Sequence, residues 1–167
     1  LKVTLQSLKR RLAKAPNQAL PISPKHLIAM YHHIDIENPQ DLAIWCCILV
    51  GFFGLLRKKN ICPEDANDLD PVKLLTVRKV CISEDASIAL LYINFAKTIQ
   101  FGQRDLTIPL IRSHSKALDP VFHLHLLFKR TQAPLDHPAF SYRTGFYYNT
   151  ALLFLSNCLN CTAVSFK

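Results

Sequence analysis

Two basic segments of this chain carry residue types that suit phosphate chemistry. An apolar run, Leu42–Leu56, breaks abruptly into a basic stretch that begins with Arg57, and Lys97 follows forty residues later. A guanidinium at the end of a rigid helix can donate two parallel hydrogen bonds to one phosphate. A lysine in a strand hairpin can enter a nucleic-acid groove and donate a proton to a departing oxygen. Together, the two cations favour a phosphodiester as the ligand.

Each cation also has a simpler interpretation. An arginine in the last helical turn, where Arg57 is predicted, is stabilised by the helix dipole by a few tenths to about 1 kcal/mol. A hairpin lysine such as Lys97 is most often a solvated surface residue. Lys58 and Lys59 are either solvated or contact flanking phosphates, and Arg104, at the far end of the hairpin, is a further candidate DNA contact. The spacing alone does not decide between these interpretations.

The composition predicts one globular domain with a basic surface. The 167 residues are 50% hydrophobic and 19% charged, which is enough apolar matter for a single core. Twenty Lys and Arg against twelve Asp and Glu give a net charge of +8, and this excess favours nucleic acid or an acidic membrane surface as partner. The apolar run is shorter than the roughly 18–20 residues that cross a bilayer, so it predicts a buried core helix and no membrane partner.

No leader-like segment opens the sequence, so nothing in it signals secretion. The six cysteines are then interpreted as reduced thiols of a cytosolic or nuclear protein. Cys158 and Cys161 have the spacing of half a zinc site, but no matching pair stands near them, and we expect no metal. His114, close to Arg112 and Lys116, is a weaker candidate for a phosphate contact.

Helix start signals and strand patterns predict an α+β fold that is mostly helical. Ser23-Pro24 predicts a helix to about residue 34, and Asn38-Pro39 a central helix over about 40–57. Asp119-Pro120 predicts a helix to about 130, and a last helix is expected over about 146–158. Strands over about 77–83, 87–96 and 104–110 form a three-stranded antiparallel meander.

Four segments in this order resemble the catalytic domain of tyrosine recombinases, with the eukaryotic crypton-type integrase-like group as the nearest variety. The resemblance covers about residues 19–158 and lies mainly in motif order and spacing. The segments are ALPISP at 19–24, FFGLLRK at 52–58, AKTIQF at 96–101 and LTIPL at 106–110.

The resemblance implies a specific reaction on double-stranded DNA. Such enzymes cut one strand by attack of a tyrosine on the phosphate, which forms a 3′-phosphotyrosyl intermediate, and they need no metal or cofactor. By matching position, Arg57 stabilises the charge on the pentacoordinate phosphorane. Lys97 protonates the departing 5′ oxygen. The resemblance further implies that the full-length protein recombines or integrates DNA as a multimer on DNA. It also implies a nuclear location in a eukaryotic host.

The resemblance also divides the chain into two parts. Residues 1–18 correspond to a basic amphipathic helix and linker that end a core-binding domain, and 19–167 to a partial catalytic domain that is incomplete at its C-terminus. Leucines at helical spacing support a helix in the first part, at positions 1, 5, 8 and 12.

Parts of the recombinase pattern are missing from the sequence. The H-x-x-R motif does not occur, and residues 162–167 match it only faintly, with Val164 in place of its His and Lys167 in place of its Arg. Valine cannot exchange a proton, and lysine lacks the bidentate fork. All five tyrosines precede the position of the nucleophile: Tyr31, Tyr92, Tyr142, Tyr147 and Tyr148.

We therefore expect that this chain binds DNA but does not complete strand cleavage. It is interpreted as a truncated or decayed recombinase. The alternative is a non-catalytic DNA-binding relic of a mobile-element integrase, and a third hypothesis is a helical protein-interaction domain with no nucleic-acid role.

Overall fold

A computed structural model describes residues 21–61, 70–94, 105–144 and 147–150 of the chain. The expected basic helix at 1–18, Lys97 and Arg104 lie outside these residues. The helices are α1 (Pro24–Tyr31), α2 (Pro39–Phe53), α3 (Lys58–Ile61) and α4 (Pro120–Thr131). The strands are β1 (Val80–Ile82), β2 (Ile88–Ile93), β3 (Leu106–Ile111), β4 (Ser141–Thr144) and β5 (Tyr147–Thr150), and single 3₁₀ turns cover Val77–Lys79 and Lys116–Leu118.

The predicted α+β class and the antiparallel meander are confirmed. Strand β2 lies in the middle of the sheet, with β1 and β3 antiparallel on either side. Leu91 faces Val80 on one side and Ile108 on the other, while Leu90 faces Pro109. Alternate residues of β2 are buried against the helices, as expected for a sheet with one face on the core.

Helix α2 forms the centre of the core, as the sequence predicts. Every residue from Leu42 to Val50 is buried, including Trp45, and the helix packs chiefly against α4. Its start follows from Asn38, whose side chain accepts a hydrogen bond of 2.9 Å from the backbone of Gln40. Cys46 and Cys47 are fully buried packing residues, and burial raises the pKa of the Cys46 thiol well above its usual value.

Helix α4 begins at the predicted Asp119-Pro120 pair and brings a histidine into the core. The Asp119 side chain caps the helix by accepting from the Phe122 backbone at 2.9 Å. His123 is 0% exposed, and its Nδ1 donates to the Asp119 carbonyl oxygen over 2.7 Å. The imidazole packs edge-on against Tyr31, Trp45 and Phe122.

The end of α2 differs from the sequence prediction, which placed Arg57 in the last helical turn. The helix ends at Phe53, because Leu56 N–H donates to Gly51 O (3.0 Å) and Leu55 N–H to Phe52 O (3.4 Å). These are the two hydrogen bonds of a Schellman motif, and they require a left-handed residue, here Leu55 with φ 50°. Gly54 permits the turn, since a Cβ there would lie 2.7 Å from Val50 O. Arg57 is therefore beyond the helix, and helix-dipole stabilisation does not explain it.

The predicted last helix is wrong over residues 147–150. Tyr147–Thr150 is a strand that pairs antiparallel with Ser141–Thr144, and residues 151–158 lie outside the described part. Aromatic and β-branched residues favour a strand that has a partner.

Two smaller differences concern where a predicted helix ends and where a predicted strand begins. Helix α1 stops at Tyr31 rather than near residue 34, and residues 77–79 form a 3₁₀ turn.

Leu55→Gly is expected to raise the free energy of unfolding by roughly 0.5–1 kcal/mol. The left-handed conformation costs a residue with a Cβ about 1–2 kcal/mol, and glycine removes this cost. The greater freedom of glycine in the unfolded chain offsets part of the stabilisation. Urea unfolding followed by circular dichroism measures the change. Leu55→Ala, which keeps the Cβ, is the control and should match the wild-type protein. If the glycine variant is no more stable than the alanine variant, the backbone of Leu55 is not strained.

His123 should make the fold less stable as the pH falls below about 6.5, the ordinary histidine pKa. Burial lowers the pKa of His123. The hydrogen bond to the Asp119 carbonyl oxygen and the charge of the Asp119 carboxylate raise it by less. The unfolded chain then binds a proton in a pH range where the folded chain does not, so acid favours unfolding. Urea midpoints at neutral and mildly acidic pH measure this. His123→Phe should show a shallower pH dependence, and equal slopes for both proteins would contradict the assignment.

Candidate functional site

An open depression of about 340 Å³ lies between the end of α2 and the sheet, with Arg57 on its rim. The α2 side contributes the turn Gly54–Leu56, and α3 contributes Asn60. Apolar side chains of β2 and β3 line the other side, namely Ile93, Leu106 and Ile108. The depression thus combines an apolar wall with a cationic rim.

The backbone around Arg57 is held from both sides. Before it, the Schellman motif fixes the turn after α2. After it, Asn60 N–H donates to Arg57 O over 2.9 Å, and Asn60 O accepts from Leu75 N–H at 2.8 Å. Ile61, which is buried, packs against Gly51, where a Cβ would lie 3.0 Å from its Cδ1. Arg57 therefore projects from a fixed junction between two helices.

The guanidinium of Arg57 has no hydrogen bond or ion pair with any residue that the structure describes, and its side chain is exposed. Other arginines differ in this respect. Arg78 pairs with Asp136 at 3.1 Å, Arg112 lies 3.5 Å from an Asp119 oxygen, and Arg130 pairs with Glu37 at 2.8 Å. No carboxylate in the described part of the chain therefore competes with an external anion for Arg57.

Two lysines outside the depression have contacts within the protein. Lys79 Nζ donates to the carbonyl oxygens of Val72 and Leu74, at 2.9 and 3.0 Å, and burial lowers its pKa. Lys116 Nζ lies 5.3 Å from the centre of the Phe122 ring. These lysines serve the fold, which distinguishes them from Arg57.

The structure places the ends of the Lys97 segment beside the Arg57 depression. Ile93 and Leu106 are paired across β2 and β3, and both line the depression. One residue further, Asn94 Nδ2 donates to Asp105 Oδ1 over 3.0 Å and joins the two strand ends. Lys97 and Arg104 belong to the segment 95–104 between these ends, and both residues lie outside the described part. The structure therefore gives the anchoring points of the segment but not the two cations.

The remaining candidates fall into two groups. Lys58 and Lys59 open α3 directly after Arg57, and the structure describes their backbone but not their side chains. His114 is exposed and follows the opposite end of β3. A strand rises about 3.4 Å per residue, so Leu106 and Ile111 are roughly 17 Å apart. The structure thus keeps His114 away from the Arg57 depression.

Sequence reasoning did not identify the wall of the depression or the buried Asn60, which is 7% exposed. The alternation along β3 could have indicated that Leu106 and Ile108 share one face, whereas the position of Ile93 beside them depends on the register of β2 and β3. Nothing in the local sequence distinguishes Asn60 from a solvated residue after two lysines. Its burial follows from the short helix α3, which turns the chain back against Leu75.

Two further observations concern other kinds of site. Among the residues that the structure describes, no three His, Cys, Asp or Glu side chains are arranged to hold a metal ion. Cys158 and Cys161 lie outside that part of the chain. The described helices are all too short or too polar to cross a membrane.

Comparisons with known proteins give no relative for this chain. No protein-family model, no curated protein and no solved structure matches it.

Proposed function

We propose that this chain is a DNA-binding domain of the tyrosine-recombinase type, which contacts the phosphodiester backbone at the Arg57 depression. The observation that carries the proposal is an exposed guanidinium on a fixed junction, without a partner among the described residues, next to the strand ends that anchor the Lys97 segment. The net charge of +8 supports a polyanionic ligand.

Among the residues that the structure describes, no ion pair has to break for the proposed phosphate contact. An arginine that pairs with a carboxylate, such as Arg78, would have to exchange one anion for another. The backbone of Arg57 is fixed at 2.9 Å hydrogen-bond distance to Asn60, so only side-chain rotations lose freedom on binding. Lys58 and Lys59 follow in the chain and are proposed to contact neighbouring phosphates.

Lys97 is proposed to act beside Arg57 on the same phosphate, as the resemblance to tyrosine recombinases implies. Lys97 follows Ile93 by four positions, and an extended chain covers at most about 3.6 Å per residue. The lysine is therefore tethered within roughly 14 Å of the depression wall. In this arrangement Arg57 stabilises charge on the phosphorane, Lys97 protonates the 5′ oxygen, and Arg104 contributes to DNA binding.

The three tyrosines whose side chains the structure describes do not complete such a site. Tyr31 packs against Trp45 and His123 in the core, and Tyr92 lies on the sheet face opposite to Ile93. Tyr142 is half-buried against the core. None of the three lines the depression. We therefore propose that the 167-residue chain binds DNA without cleaving a strand. The alternative history, a non-catalytic relic of a mobile-element integrase, predicts the same behaviour.

Arg57→Ala should weaken binding to a DNA duplex by about three- to tenfold at low salt, since one phosphate contact among several is lost. The slope of log K against log salt concentration should become shallower by about one unit. Fluorescence anisotropy at several salt concentrations gives both quantities.

Arg78→Ala is the matched control, because it removes the same charge from an arginine that is paired with Asp136. Its salt slope should equal that of the wild-type protein. Complete loss of binding and of folding in Arg57→Ala would assign the residue a structural role. A wild-type protein that does not bind DNA at low salt, or binds with no salt dependence, would exclude the proposed function.

The wild-type chain should form no covalent adduct with a nicked suicide DNA substrate. Such a substrate traps the 3′-phosphotyrosyl intermediate, and none of Tyr31, Tyr92 and Tyr142, the tyrosines whose side chains the structure describes, lines the depression. Denaturing gel electrophoresis with labelled DNA detects the adduct. A band of protein-linked DNA that disappears in Arg57→Ala would show that the chain does cleave DNA.

A further inference from the structure

Leu55 is the most exposed large apolar side chain in the described part of the structure. It is 90% exposed, and it lies on the rim of the depression, two residues before Arg57. Leu106, across the depression, is 44% exposed. An exposed leucine alone is unremarkable, because more than half of a protein surface is apolar. Its backbone is what makes this residue unusual.

The backbone of Leu55 adopts a left-handed conformation that disfavours a leucine. Its φ is 50°, a region in which glycine or asparagine is the common residue at the end of a helix. Hydrogen bonds on both sides hold it there, from Leu55 to Phe52 and from Leu56 to Gly51. The fold thus keeps a strained and solvated leucine where glycine would be easier, and no buried contact within the described residues compensates for it.

We propose that Leu55 is an apolar wedge that inserts against a base step of the DNA held by Arg57. This inference rests on the proposed function and deepens it by adding a contact that is not electrostatic. Proteins that bend DNA insert leucine and similar side chains between base pairs beside cations that hold the phosphates. Leu55 and Arg57 are two residues apart, so their Cα atoms lie within about 7 Å of each other. That separation allows one side chain to contact a phosphate and the other an adjacent base.

Charge and shape around Leu55 favour DNA over an apolar protein partner. The nearest cation, Arg57, has no carboxylate partner in the described structure, and the chain continues with two lysines. An apolar partner would leave this guanidinium without an anion, whereas a nucleic acid offers a base to the leucine and a phosphate to the arginine. The strained turn also fixes the direction of the Leu55 backbone, which reduces the freedom lost on insertion.

The test separates the apolar contact from the electrostatic one. Leu55→Ala should bind a mixed-sequence duplex about tenfold more weakly at every salt concentration, with the salt slope unchanged. Arg57→Ala should change the slope instead. With 2-aminopurine at T-A steps, which unstack readily, the wild-type protein should raise the fluorescence of the duplex. At saturation, Arg57→Ala should do so as well, and Leu55→Ala should not.

Ile111→Ala is the control for removal of an exposed apolar side chain. Ile111 is 70% exposed and lies at the end of β3 far from the depression, so its variant should bind like the wild-type protein. Urea unfolding checks that Leu55→Ala is folded. If wild-type DNA binding is steeply salt-dependent and Arg57-dependent but Leu55→Ala matches it, the wedge is wrong and the proposed function stands. If the wild-type protein binds no DNA, the proposed function itself fails.

Discussion

The burial of α2 on every side is the constraint on which the rest of the structure depends. Nine consecutive residues of this helix, Leu42–Val50, are buried. Helix α4 and strand β4 contact it directly, and the sheet adds Ala89, Leu91 and Ile93 to the same core. A helix with no polar face cannot lie at the surface, and its two ends are the only places where its chain can reach solvent. The N-terminal end is closed by Asn38. The C-terminal end delivers Gly54, Leu55 and Arg57 to the candidate site.

The contacts of the arginines distinguish those that connect parts of the fold from Arg57, which is exposed. Arg130 joins α4 to the segment before α2 through Glu37 and the carbonyl oxygen of Ile36. Arg112 approaches the buried carboxylate that caps α4. An exposed pair such as Arg130–Glu37 contributes little to stability on its own, but it fixes the position of a charge. Arg57, by contrast, has a fixed backbone and a side chain without an ion pair among the described residues.

Local signals in the sequence predicted the elements whose causes are local. Asn38-Pro39 and Asp119-Pro120 marked true helix starts, since a capping side chain and a proline act within one turn. The strand expected over about 87–96 corresponds to the central strand β2, while its buried face became visible only in the structure. The α2 run was recognised as core from its apolar character alone.

The features that escaped prediction depend on contacts between distant residues or on backbone geometry. The apolar run continues through Leu55 and Leu56, so the sequence predicted that α2 extends to Arg57, whereas a left-handed leucine ends it. Asn60 is buried because Leu75 pairs with its carbonyl, fifteen residues later. Strand β5 depends on its partner β4, and the apolar residues after it suggested a helix. The cationic rim was anticipated from Arg57, but its apolar wall required the register of β2 and β3.

Pro109 in β3 has a consequence for the behaviour of the protein in solution. Within the described sheet, β3 is an edge strand, and Pro109 lies in its middle opposite Leu90. Proline has no N–H group, so the edge lacks one of the donors that an incoming strand would need. The other edge, β1, is only three residues long. A sheet whose outer face carries Ile88, Tyr92 and Ile111 is thereby protected against growing into an aggregate by strand addition.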